Sequence, residues 1–225
     1  MFSFLDSRLL ARAYRDPIAW VILAVDLFPI VAVLTLGWGA VALVFLYWLE
    51  NLILGVVALA RMTGASVKHG PQGLIGMAFL GPFFTVHYGM FCFVHGVFVA
   101  TFAIMAIDGQ PDFPTPNGLL DFALSSGAHM PVFVLAIILL QVFLFVQDFV
   151  LRGEYRKATV DKEMMAPYGR IVVLHIGLFA GAFALVALGE PMLGILALIG
   201  LRAVWGVVLT LLRRQRLDNA LQLKS

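Results

Sequence analysis

Six apolar stretches dominate the chain, over residues 17–36, 38–60, 74–107, 131–151, 171–188 and 192–212. Crossing the hydrocarbon core of a bilayer takes about 20 apolar residues in a helix, and each stretch meets that length. Lipid cannot hydrogen-bond a backbone, so spanning segments of this kind are helical. The sequence therefore predicts an all-α polytopic membrane bundle of six transmembrane helices, forming a single integral membrane domain over residues 1–225. Composition agrees: 62% of residues are hydrophobic and 12% charged, against about 25% charged in a soluble domain.

Basic residues orient the bundle. Of the 15 Lys and Arg, all but Arg202 fall on one side of the six stretches: before the first, in the connections 61–73 and 152–170, and after the last. Connections on the other side carry none. Cytoplasmic loops retain Lys and Arg, so both termini are expected in the cytoplasm. The N-terminus lacks the uninterrupted apolar core of a cleavable signal, because Asp6, Arg8, Arg12, Arg15 and Asp16 break it. Phe2, Leu5, Leu9 and Ala13 share one helical face and Arg8, Arg12 and Arg15 another, the pattern of an interfacial amphipathic helix. A net charge of +2 without a basic run excludes nucleic acid as a partner; the bilayer is the partner expected. Cys92 is the only cysteine, which excludes disulfide frameworks and multi-cysteine metal sites.

Local signals refine the picture. Gly37-Trp38-Gly39 joins the first two spans in a tight hairpin, and Gly81-Pro82 offers a break within the long third span. In the outer connection, Pro111, Pro114 and Pro116 oppose a regular start, while 119–125 reads as a short interfacial helix. Thr159 is placed to cap a helix, and the 177–181 GxxxG favours close helix packing.

Ionisable side chains inside a membrane are expensive and mark function by default. The spans hold Asp26, Glu50, His87, His95, Asp148, His175 and Arg202, accompanied by Tyr47, Asn51, Tyr88, Gln141 and Gln147. Counting about 1.5 Å per residue puts Glu50, His95 and Arg202 near mid-membrane and His87, Asp148 and His175 roughly 6–10 Å toward the cytoplasm. Gln141 and Asp148, seven apart, share one stripe of the fourth span. Asp26, one turn before Pro29, serves a local kink. His87 and His95 lie roughly 12 Å apart along their helix and do not share one metal. Three carboxylates against Arg202 leave a negative surplus, to be met by a divalent cation, by protonated histidines or by protonated carboxyls. Imidazole with carboxylate suits zinc or iron.

Tyr47-Trp48-Leu49-Glu50-Asn51, His87-Tyr88-Gly89, His95-Gly96 and Pro167-Tyr168-Gly169-Arg170 followed by His175 resemble the signature segments of an uncharacterised bacterial multi-pass inner-membrane family, a domain of unknown function. The resemblance implies a bacterial inner-membrane location and supplies no activity.

The leading expectation is an intramembrane metal site acting on a lipid or other apolar substrate. His87, His175 and Glu50 are the candidate ligands, with Zn or Fe as the ion; Glu50, Asp148 and Tyr88 are the candidate catalytic groups; Asn51, His95, Arg170 and Arg202 are the candidate substrate contacts. A metal-bound water is then the nucleophile. The alternatives are a proton- or ion-coupled transporter, a haem protein with His87 and His175 as axial ligands, and a membrane scaffold in which the polar cluster only sets helix packing.

Overall fold

Asp16 opens the first helix: its carboxylate accepts a hydrogen bond from the Ile18 N–H at 3.1 Å, and Pro17 takes the first helical position. The resulting helix α1, Pro17–Leu36, ends at Gly37, whose left-handed φ of 67° only glycine adopts at little cost. This architecture comes from a computed structural model that describes residues 11, 13–105, 115–169, 171–172, 176, 200, 204 and 206–215, with the side chains of 102, 104 and 105 excepted. Most of the expected N-terminal amphipathic helix, nearly all of the expected fifth span with its 177–181 GxxxG, and much of the first part of the expected sixth span lie outside the described residues.

After α1 come α2 (Ala40–Lys68), α3 (Gly70–Met105), a short α4 (Pro116–Ser125) and α5 (Met130–Leu144), which continues as a π-helix over Phe145–Leu151. A 3₁₀ turn (Glu154–Arg156) and α6 (Val160–Met165) follow, and residues 206–215 are helical. There is no strand among the described residues. Four helices are long and apolar enough to cross a membrane: Pro17–Leu36, Ala40–Lys68, Gly70–Thr101 and Met130–Leu151.

α2 is the hub. In its most apolar window 61% of the residues are buried, against 22–33% in the other three spans. It packs along α3 and also touches α4, α5 and α6. Close approach depends on small residues: a Cβ on Gly55 would collide with the Tyr88 ring, and one on Gly64 with Phe149. The Trp38 indole N–H bonds the Ala128 carbonyl at 3.0 Å and its ring lies 4.6 Å from Phe133, pinning the α1–α2 turn to the start of α5. Facing outward is a belt of exposed apolar side chains, among them Leu34, Val56, Ile75, Phe79, Val86, Phe98 and Leu139. Water would penalise such a surface, whereas lipid tails solvate it.

Several local expectations change. α3 runs unbroken through Gly81-Pro82; membrane helices tolerate proline where neighbouring groups re-satisfy the freed backbone. Pro116 starts α4 instead of opposing it, because Thr115 caps the helix through the Gly118 N–H at 3.1 Å and proline fits the first turn. α4 is also no mere surface helix: Leu119 and Ala123 are fully buried, and Leu119 rests against Gly96. Thr159 occupies the cap position of α6 without making the side-chain capping bond.

Candidate functional site

Carboxylates from separate elements meet around one cavity of about 220 Å³. α1 contributes Asp26, α2 contributes Glu50, α5 contributes Gln141, the π-helix contributes Asp148, and Glu154 and Glu163 come from the segments beyond it. Thr210 and Arg213 enter from the 206–215 helix, and Arg61 from the far part of α2. Between these polar groups the walls are apolar, with Val25, Leu54, Val57, Ile137, Leu140 and Leu144. Asp26, Glu50 and Asp148 retain only 7%, 4% and 4% of their exposure. Gly206 permits the last helix to approach α1, since a Cβ there would run into the Asp26 carboxylate.

Two arginine clusters stand at one end, the basic end. In the first, Arg213 grips both oxygens of Asp148, Nε on Oδ2 at 2.5 Å and Nη2 on Oδ1 at 3.0 Å, while its Nη1 reaches Asp16 at 3.0 Å. Arg152 closes the ring, with Nη1 at 3.2 Å from Asp148 and 3.3 Å from Asp16. Among the described residues, two guanidinium and two carboxylate groups thus balance. Burial pushes the Asp16 carboxyl up, but the Ile18 N–H and the charges of Arg213 and Arg152 outweigh it and hold the group below its ordinary value. The second cluster centres on Arg61, which bonds Glu163 at 2.5 Å and Glu154 at 3.0 Å and lies 4.5 Å over the Phe149 ring. Planar guanidinium suits this mixture of forked ion pairs and aromatic stacking. Asp26 and Glu50 are ten and eleven residues along their helices from Asp16 and Arg61, about 15 Å deeper at the helical rise.

A different environment surrounds the α3 candidates. His87 is exposed on the helix surface, stacked on Phe83 at 5.3 Å, with its Nδ1 hydrogen-bonded to the Tyr168 hydroxyl at 2.9 Å. Burial, helped by Cys92 nearby, pushes the Tyr168 phenol above its ordinary value. Tyr88 is buried and donates to the Asn51 carbonyl at 2.9 Å. His95 bonds the Phe91 carbonyl of its own helix at 3.2 Å. The Trp48 indole donates to the Cys92 carbonyl at 2.7 Å.

Of the expected site residues, Glu50 and Asp148 share the cavity wall, as do Gln141 and Asp148 of the proposed stripe. His87, Tyr88, Asn51 and His95 do not line it. Among the described residues no group of three His, Cys, Asp or Glu has the arrangement to hold a metal ion; the expected set of His87, His175 and Glu50 includes His175, which falls outside them. His175, Arg170 and Arg202 lie outside the described residues. Asp26, assigned above only to a kink, faces the cavity. Asp16, Arg61, Glu154, Glu163 and Arg213 are additions: Arg61 and Arg213 served above only to count orientation, Asp16 only to exclude a cleavable signal, and Glu154 and Glu163 were not singled out.

A family model matches residues 8–222, nearly the whole chain. The chain belongs to DUF6498, a family of unknown function. No curated protein and no solved structure gives a significant match.

Proposed function

We propose that this DUF6498 member is a proton- or ion-coupled membrane transporter whose working site is the acidic cavity. Its support is a single observation: carboxylates from α1, α2 and the π-helix, each nearly excluded from solvent, border one hollow between spanning helices. An ionised carboxylate in a low-dielectric interior is costly, and a proton or a bound cation relieves that cost. Glu50 and Asp26 are the deep acceptors in this reading, and Asp148, paired with Arg213 and Arg152, bounds the cavity at the basic end. Arg61 and Arg213, the arginines of the wall among the described residues, are engaged with carboxylates, which favours cations over anions as the occupant. The basic end faces the cytoplasm on the positive-inside principle, and the same reading has six spans, with both termini on that side of a bacterial inner membrane.

Chemistry centred on His87 is not part of this reading, because that ring is turned onto Phe83 and Tyr168, away from the cavity wall. Zinc and iron enter instead as two of the cations to be tried.

Reaction with dicyclohexylcarbodiimide tests the proposal, since the reagent attacks protonated carboxyls in apolar surroundings. The full chain in nanodiscs should be labelled at Glu50, with labelling falling as pH rises. A transported cation should protect Glu50 when added as sodium, potassium, magnesium, calcium, zinc or ferrous salt. Proteoliposomes loaded with a pH-sensitive dye should then show flux that Glu50→Gln abolishes. An unlabelled Glu50 at every pH, with no flux in any salt, overturns the reading.

A further inference from the structure

The π-helix Phe145–Leu151 is the uncommon element of this bundle. Such segments account for well under 1% of residues in soluble proteins and recur at functional sites. The Arg152 N–H closes it on the Gln147 carbonyl, five residues back, at 3.0 Å. The widened turn changes which directions successive residues face. Two neighbours within it, Asp148 and Phe149, each hold one of the arginine clusters. Asp148 takes the Arg213 fork and the Arg152 contact. Phe149 lies beneath Arg61, stacks on Phe145 at 5.2 Å and fills the space left by Gly64. Phe145 and Asp148 are themselves cavity wall, as are Arg61 and Arg213.

We propose that this π-helix is the latch that closes the basic end of the cavity, and that its return to α-helical bonding opens it. Going from i→i−5 to i→i−4 bonding turns the residues beyond the change by one helical position, about 100°. Asp148 then leaves Arg213 in the same movement that draws Phe149 from under Arg61, so both clusters release together. An element with two discrete arrangements, each satisfying its backbone, is what a gate between two states requires. This inference rests on the cavity being the working site, and its tests read accessibility instead of ion flux.

The probe is a cysteine on the cavity wall, Val57→Cys, in a Cys92→Ser background. Its modification by a membrane-impermeant methanethiosulfonate is timed in nanodiscs, where both faces are open to reagent. Asp148→Asn and Phe149→Ala should each raise the rate at least about tenfold, the population change expected from weakening charge-assisted hydrogen bonds in the first and losing a desolvated cation–π contact in the second. Val150→Ala, in the same segment but exposed outward, should leave it at the parent value. Parent-like rates in both latch variants, with melting and elution unchanged, overturn the proposal.

Hydrogen–deuterium exchange of the unaltered chain is the second arm and needs no variant to fold. Amides of 147–152 should exchange about tenfold faster than those of 133–140, as a segment that opens sub-globally must. Equal protection across both segments also overturns the latch. Failure of the latch leaves the carbodiimide result at Glu50 untouched. Failure at Glu50 leaves the accessibility ratios intact, as evidence of a gate over a different cargo.

Discussion

The cavity wall and α3 both place polar side chains in apolar surroundings, and they satisfy them in different ways. On α3, His95 bonds its own helix four residues back, and Tyr88 bonds a backbone carbonyl of the adjacent helix. Each of these bonds ends on a backbone carbonyl. Around the cavity, by contrast, Arg213 reaches Asp16 and Asp148, and Arg61 reaches Glu154 and Glu163, so each cluster ties together distant parts of the chain. A lone interhelical hydrogen bond in a membrane is worth about 0.6 kcal/mol on average, while an uncompensated buried charge costs several times more. Rarity in the sequence therefore flags both regions equally, and convergence separates them.

The widest separation should come from Arg213→Ala. It leaves Asp148 and Asp16 sharing Arg152 alone, and breaking a buried pair from one side costs up to about 3–5 kcal/mol. Thermal melting in nanodiscs should show it as the largest destabilisation among single cluster variants. A loss no bigger than that of His87→Ala would erase the distinction drawn here. Tyr88→Phe and His87→Gln come next, each removing one hydrogen bond worth about 1 kcal/mol or less. Both should melt slightly earlier and keep the parent pattern of carbodiimide labelling at Glu50. A change of labelling in either would move the α3 face into the working site.

The smallest effect concerns acid. Asp16 is held below its ordinary carboxyl value, so the unfolded chain binds the proton more readily than the folded one. Its contribution is fully present above about pH 4, the ordinary carboxyl value, and is lost as pH falls through the lowered one. Asp16→Asn should accordingly flatten the acid limb of the stability profile; an unchanged limb would show that the Asp16–Arg213 pair adds nothing.

Much of the scaffold was legible because the bilayer imposes length and polarity on each element. The first span was expected at 17–36 and lies at Pro17–Leu36, and the fourth, expected at 131–151, ends where the π-helix ends. Glu50, Asp148 and Gln141 were legible as a polar set because apolar neighbours make such residues conspicuous. The rotation of α3 was not legible: burial of Tyr88 turns His87 outward, and neither composition nor depth specifies that angle. The π-helix was equally hidden, since 145–151 has the apolar pattern of ordinary helix. Arg61, Arg213 and Asp16 escaped for another reason. Near span ends a charge is cheap, so its presence carries no signal until the partners are seen.

Asp16 caps the first helix and is gripped by Arg213, 197 residues later in the chain. During synthesis the first span thus emerges with a carboxylate whose principal counter-charge has yet to be translated, and Asp148 waits for the same arginine. In a chain truncated before residue 213 both acids would share Arg152 alone, so the ring of charges at this corner is completed only by the 206–215 helix, the most C-terminal of the described residues.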